Sequence, residues 1–190
     1  PILILGLIPI LDLIAGIDRS NPPDDVIAAL EADKYYRWIT YLYLPLQYAA
    51  LLWACWLWSS GALSLADNIG LALTIGTVAG IGINTAHELG HKKEKVERWL
   101  AKIALAQSFY GHFYIEHNRG HHVRVATPAD PASSRVGESF YRFWPRTVAG
   151  SLRSAWRLEE RRLRRKGGSP WRLGNDGINS WLMSAVLWAA

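Results

Sequence analysis

All 21 Lys and Arg residues lie between Arg19 and Arg37 or between Lys92 and Arg172, while the stretches 39–58 and 69–86 carry no charged side chain at all. That segregation excludes an ordinary soluble globule, whose surface spreads charge along the whole chain. Half of the 190 residues are apolar, yet mean hydropathy is only +0.02, because charged and apolar segments cancel in the average. At about 1.5 Å per residue, 39–58 rises roughly 30 Å, the thickness of a hydrocarbon core. It reads as a transmembrane helix. A second span covers 69–86, where Gly70, Gly76, Gly80 and Gly82 allow close approach of another helix or of a substrate. Further spans fall near 1–17, interrupted by Pro9, and near 178–190. Trp and Tyr, the rings that favour membrane boundaries, make up 18 of the 22 aromatic residues. The expected fold is all-α, a polytopic membrane helical bundle forming one partial domain over 1–190. Asn21-Pro22-Pro23-Asp24-Asp25 reads as a turn that starts a short surface helix.

The link 59–68 has no Lys or Arg, so the positive-inside rule puts the basic segments in the cytoplasm. The segment 87–177 is then a cytoplasmic or interfacial region. From His87 to Arg172 there are 18 basic and 8 acidic residues, a net of +10. The run Arg161-Arg162-Leu163-Arg164-Arg165-Lys166 suits topology and contact with anionic membrane lipid, or docking of an acidic protein. Nucleic acid is a poor partner, because no recognition module accompanies the basic run. Cys55 is the single cysteine, which excludes an internal disulfide framework and a cysteine-based zinc ribbon. The chain begins at Pro1 inside one apolar run and stops at Ala190 inside another, and is expected to be an internal fragment of a longer protein.

All six histidines fall between 87 and 122, just after an uncharged span. His87 and His91, four apart, lie only about 40° apart on a helix and are placed to grip one metal. His117 and His121 repeat that spacing, and His122 points about 100° further round, toward a second metal. Imidazole suits iron, copper and zinc, and the lack of nearby thiolates weighs against structural zinc. His112 fits neither group and is read as structural, or as a neighbour of the ligands.

Two chemistries compete for the first group. His87-Glu88-Leu89-Gly90-His91 matches the H-E-x-x-H of zinc metalloproteases, in which the Glu is general base, and on a membrane helix it resembles intramembrane site-2-type proteases. The second cluster has no use in such a protease. It suits instead the membrane histidine-box desaturases and hydroxylases. The stretches 84–93, 110–122 and 126–139, with their Asn84-Thr85-Ala86-His87-Glu88, Glu116-His117-Asn118-Arg119-Gly120-His121-His122 and Thr127-Pro128-Ala129-Asp130-Pro131-Ala132, closely resemble the bacterial alkane 1-monooxygenase family. Asn21-Pro22-Pro23, Tyr35-Tyr36-Arg37 and Leu158-Glu159-Glu160 extend the resemblance over nearly the whole chain.

The resemblance implies a six-helix, multi-pass enzyme of the bacterial inner membrane, with a non-haem centre of two iron ions on the cytoplasmic side. Such an enzyme uses O2 to convert an n-alkane to a primary alcohol, with electrons from NADH through rubredoxin reductase and rubredoxin. By position, His87, His91, His117, His121 and His122 match iron ligands. Glu88 and Glu116 match box-adjacent carboxylates that orient imidazoles, and His112 and Asp130 are grouped with them around the metal. Arg142, Arg146, Arg161, Arg162, Arg164 and Arg165 would supply the field that steers an acidic electron donor. The family's third histidine box is absent, so the 190 residues alone are expected to be inactive. A related fatty acid desaturase, a xylene-type monooxygenase and a non-catalytic metal-binding membrane protein remain as alternatives.

Overall fold

A computed structural model describes residues 2–18 and 20–189, with Glu31 described by its backbone alone. Pro1 and Ala190, the outer ends of the first and last expected spans, and Arg19 lie outside the described residues. The described residues are helical, with no strand among them. The chain divides into two compact units, 1–81 and 82–190.

In the first unit a π-helical turn, Leu3–Leu7, leads into α1, Ile8–Ala15, which ends at Gly16 with φ +74°, a conformation that glycine adopts without strain. The turn read at 21–25 starts α2, Asp24–Ala32, and Asp24 and Asp25 sit at the positive end of its dipole. Asp33 then caps α3, Lys34–Ser59, by accepting the Tyr35 backbone N–H at 2.8 Å. Ser64 and Asp67 exchange side-chain and backbone hydrogen bonds at 2.7 and 3.3 Å in a capping box that opens α4, Leu65–Gly90. Along α4, Thr74 and Thr77 turn their hydroxyls back to the carbonyls of Gly70 and Leu73, which satisfies both within an apolar helix. The Tyr43 hydroxyl donates to the Val78 carbonyl at 2.8 Å and ties α3 to α4.

Helices enclose 39–58 and 69–86 in full, whereas in the first expected span the helix stops at Ala15, before Gly16 and Ile17; the helical segments also differ in apolar character. Among the described residues α4 alone is both long and apolar enough to cross a membrane, and the first segment, Leu3–Ala15, is short. The whole of 39–58 lies inside α3, whose length suits a span; its Tyr, Trp, Gln47 and Pro45 lower the hydropathy. Gly76 and Gly80, read as sites of close approach, have nothing within 4 Å of where a Cβ would stand, so described side chains do not pack against them.

The second unit carries the histidines. The last turns of α4 lead to α5, Lys95–Ala106, then α6, His112–Glu116, a π-helical turn, His117–His121, and α7, His122–Arg124. A loop over 125–139 follows, then α8, Phe140–Arg165, and α9, Asp176–Ala189. Leu89, Leu105, Ile115 and Leu163 are fully buried and form the apolar core between these helices. Gly111 brings the start of α6 close to α9, where a Cβ would lie 2.4 Å from that of Ser180. Arg146 of α8 fixes the loop by donating to Glu138 at 2.6 Å and to the carbonyls of Ser133 and Pro131 at 2.9 and 3.2 Å.

Candidate metal centre

His87 and His91 leave the C-terminal end of α4 on one face, as the four-residue spacing requires. Their Nε2 atoms are 3.1 Å apart, and His117 places its own Nε2 3.1 Å from that of His91. These three form the group of potential metal-binding side chains among the described residues. His122 joins them through Nε2, 3.0 Å from Nε2 of His117.

The partnership of His117 with His122 departs from the α-helical expectation. On an α-helix residues five apart point about 140° from each other, and His117 would share its face with His121. Residues 117–121 instead form a π-turn, in which the His122 N–H donates to the His117 carbonyl five residues back. That wider turn carries His122 round to His117. The wide angular separation expected for His122 is thereby corrected: its ring lies against those of His117 and His91, with centroids 4.5 and 4.9 Å away. His121 stacks on His117 with ring centroids 5.5 Å apart, and its Nδ1 donates to Asp130 at 2.8 Å.

The carboxylates divide between two tasks. Glu88 accepts from His87 Nδ1 at 3.0 Å, so in the neutral ring Nε2 is the bare nitrogen that faces His91. Asp130 does the same for His121. Burial alone would raise the Asp130 carboxyl, but hydrogen bonds from Ser133, the Ala132 N–H and His121 outweigh it and hold the group below its ordinary value. Glu116, expected to orient an imidazole, pairs instead with Arg124 at 2.5 Å. His112 is buried, and neither ring nitrogen has a hydrogen-bond partner among the described residues. It meets the Tyr110 ring and borders an open cavity of about 740 Å³ lined also by Phe109, Leu152, Trp156 and Trp181.

Burial lowers His117 to about 4, helped by His87 and His122, and burial with His87 also lowers His91. Both imidazoles are therefore neutral near pH 7, the form that binds a metal. With no metal bound, a neutral ring that carries its proton on Nε2 can donate across these 3.1 Å contacts; with that proton released, the same nitrogens face one another as ligands for a shared cation. An edge of that length corresponds to a metal–nitrogen bond of about 2.2 Å at a right angle and about 1.9 Å at a tetrahedral angle, which brackets the roughly 2.0–2.1 Å of imidazole–zinc bonds. The donor set fits a metal of the imidazole-binding group.

Sequence reasoning missed the ion network behind this cluster. Arg119, inside the π-turn, reaches Glu159 of α8 and, at 2.6 Å, Asp176 of α9. Lys102 of α5 adds a bond to Asp176 at 2.8 Å, and Arg162 binds Glu159 at 2.6 and 2.7 Å. Of these contacts only the Arg162–Glu159 pair, three apart on one helix, has a local signal. Three of the arginines read as a donor-steering field, Arg146, Arg162 and Arg164, are paired with the chain's own carboxylates, Glu138, Glu159 and Glu160.

Comparison with known proteins agrees with this geometry. The family model for fatty acid desaturase matches residues 68–190. Alkane 1-monooxygenase 1 of Alcanivorax borkumensis is 50% identical over all of this chain and 47% of its own length. Alkane 1-monooxygenases of Pseudomonas putida and Ectopseudomonas oleovorans are 49% and 48% identical over 96% and 97% of this chain, and 46% of their own lengths. The chain thus spans about half the length of the curated relatives it matches. These similarities give no support to the zinc protease reading, and the second histidine group, which a protease does not need, lies within contact of the first. The chain belongs to the fatty acid desaturase family of histidine-box proteins and is a homologue of the alkane 1-monooxygenases.

Proposed function

We propose that the protein to which this chain belongs is a terminal alkane hydroxylase with two non-haem iron ions. The convergence of His87, His91, His117 and His122 carries this reading, in a chain half identical to alkane 1-monooxygenases. The reaction takes an n-alkane, O2, NADH and a proton to a primary alcohol, water and NAD+. The iron centre supplies O2 activation and cleavage of the strong terminal C–H bond. The chain's own residues bind and orient. His87, His91, His117, His121 and His122 serve as ligands, Glu88 and Asp130 fix the tautomers of His87 and His121, and Phe113 stacks on His117 to keep one side dry. Five imidazoles make up part of a two-iron set, and we assign the remaining ligands to the further length that the relatives possess.

The charge pattern supports a multi-pass protein of the bacterial inner membrane, with spans near 1–17, 39–58, 69–86 and 178–190 and with 87–177 on the cytoplasmic side. Rubredoxin, reduced by its NADH-dependent reductase, is the proposed electron donor. Gly76 and Gly80 have open space around them and form one wall of the alkane path. Gly76→Leu should shorten the preferred chain length without loss of folded protein; an unchanged preference would remove the wall.

The test is expression of the full-length protein with rubredoxin and its reductase, supplied with octane and labelled O2. Labelled 1-octanol is expected, with iron as the bound metal and loss of product in His91→Ala. Bound zinc without label in any alcohol would refute the reading.

A further inference from the structure

Arg119 lies two residues beyond His117, so its side chain leaves the opposite side of the turn. There it is held at both ends of its fork. One arm meets Glu159, whose side chain is fully buried, and the other donates to Asp176 at 2.6 Å. Glu159 is itself a four-donor acceptor: besides Arg119 it receives Arg162 twice, at 2.6 and 2.7 Å, and the Asp176 backbone N–H at 2.8 Å. Asp176 is held in turn by Lys102 at 2.8 Å. The π-turn is thus tied to α5, α8 and α9 at a point directly behind the cluster.

A π-turn is rare because an ordinary α-helix makes better hydrogen bonds, so it persists where surrounding contacts impose it. Here the difference has a chemical consequence. The π-turn puts His122 beside His117, 3.0 Å away, whereas relaxation to an α-turn would swing it about 140° from His117. Gly120 lets the Glu116–Arg124 pair pack against the turn, since a Cβ there would stand 2.5 Å from both the Glu116 carboxyl and the Arg124 guanidinium.

We propose that Glu159, acting through Arg119, is a positioning residue that holds the 117–121 π-turn and so keeps His122 in the metal-binding cluster. The proposal rests on the metal reading of that cluster and deepens it. Glu159→Gln keeps the size of the side chain but turns one of its two acceptors into a donor facing donors. Arg119→Lys is milder: it keeps the charge and loses the fork.

The experiment measures anaerobic Fe(II) affinity of the full-length protein in detergent, for Glu159→Gln and Arg119→Lys, each alone and combined with His122→Ala. Each single variant should lose about ten- to a hundredfold in affinity, as substitution of an orienting partner does. Within the His122→Ala background the same change should cost less than about threefold, because the ligand it positions is already gone. Glu160→Gln, at the exposed Glu160–Arg164 pair of the same helix, should bind as the parent does. An equal loss in both backgrounds would mean that Glu159 only supports the fold, and would overturn the proposal, as would parental affinity in both single variants. Failure of the parent protein to bind Fe(II) would sink the metal reading first and this inference with it.

Discussion

His112 is the clearest place where burial of a polar side chain has a measurable cost. It is 4% exposed, both ring nitrogens are without partners among the described residues, and burial lowers its titration to about 4. In an unfolded chain the same imidazole titrates near 6.5, so as pH falls the unfolded state takes up the proton first. The stability associated with neutral His112 is therefore complete above about pH 6.5, is lost as pH falls, and has gone by about pH 4. A shift of that size is worth about 3 kcal/mol in full, and about 2 kcal/mol at pH 5. Neutral His112 also leaves a donor and an acceptor unsatisfied, a penalty of about 1–3 kcal/mol. His112→Phe removes both costs, and the adjoining cavity gives the slightly larger ring room. The variant should be about 1–3 kcal/mol more stable than the parent at pH 7.5, and the gap should widen by about 2 kcal/mol at pH 5. Urea unfolding followed by circular dichroism, with a chelator keeping metal away from the other histidines, measures both numbers. A variant no more stable at pH 7.5, with the same gap at pH 5, would refute the reasoning and mean that His112 has partners that satisfy it.

Two further predictions concern the second unit. Gly111→Ala places a methyl group 2.4 Å from Ser180 Cβ, a clash no rotamer relieves, and should cost about 1–3 kcal/mol; Ser180→Gly should restore most of it in a double variant, and additive losses in unfolding experiments would show that the two helices do not meet there. Asp130→Asn leaves His121 without its charged partner and should lower Fe(II) affinity about tenfold to a hundredfold, measured by competition with a chelator; unchanged affinity would remove His121 from the centre.

Local rules carried far in this chain because helices are local structures. The start of α2 after Asn21-Pro22-Pro23, the helices enclosing 39–58 and 69–86, and the meeting of His87 with His91 each follow from spacing within a few residues. Where one rule of spacing was stretched too far, at His117, His121 and His122, the error came from assuming 3.6 residues per turn. Nothing within that segment reveals a π-turn, since its ties run 40 and 57 residues away to Glu159 and Asp176. Glu116 was misread for a similar reason: its neighbour in sequence is His117, but its partner in space is Arg124, eight residues on.

The sequence by itself determined that helices separate charged from apolar segments, that two groups of histidines at helical spacing follow an uncharged span, and which family the chain resembles. Those properties rest on side-chain type and on periods of a few residues. Only the tertiary structure decided which imidazoles meet, which carboxylate faces a histidine and which faces an arginine, and that a buried Glu on α8 stands behind the cluster. Such partnerships depend on how α4 to α9 pack. A buried charge is satisfied by whatever donor the packing brings within about 3 Å, however distant it is along the chain.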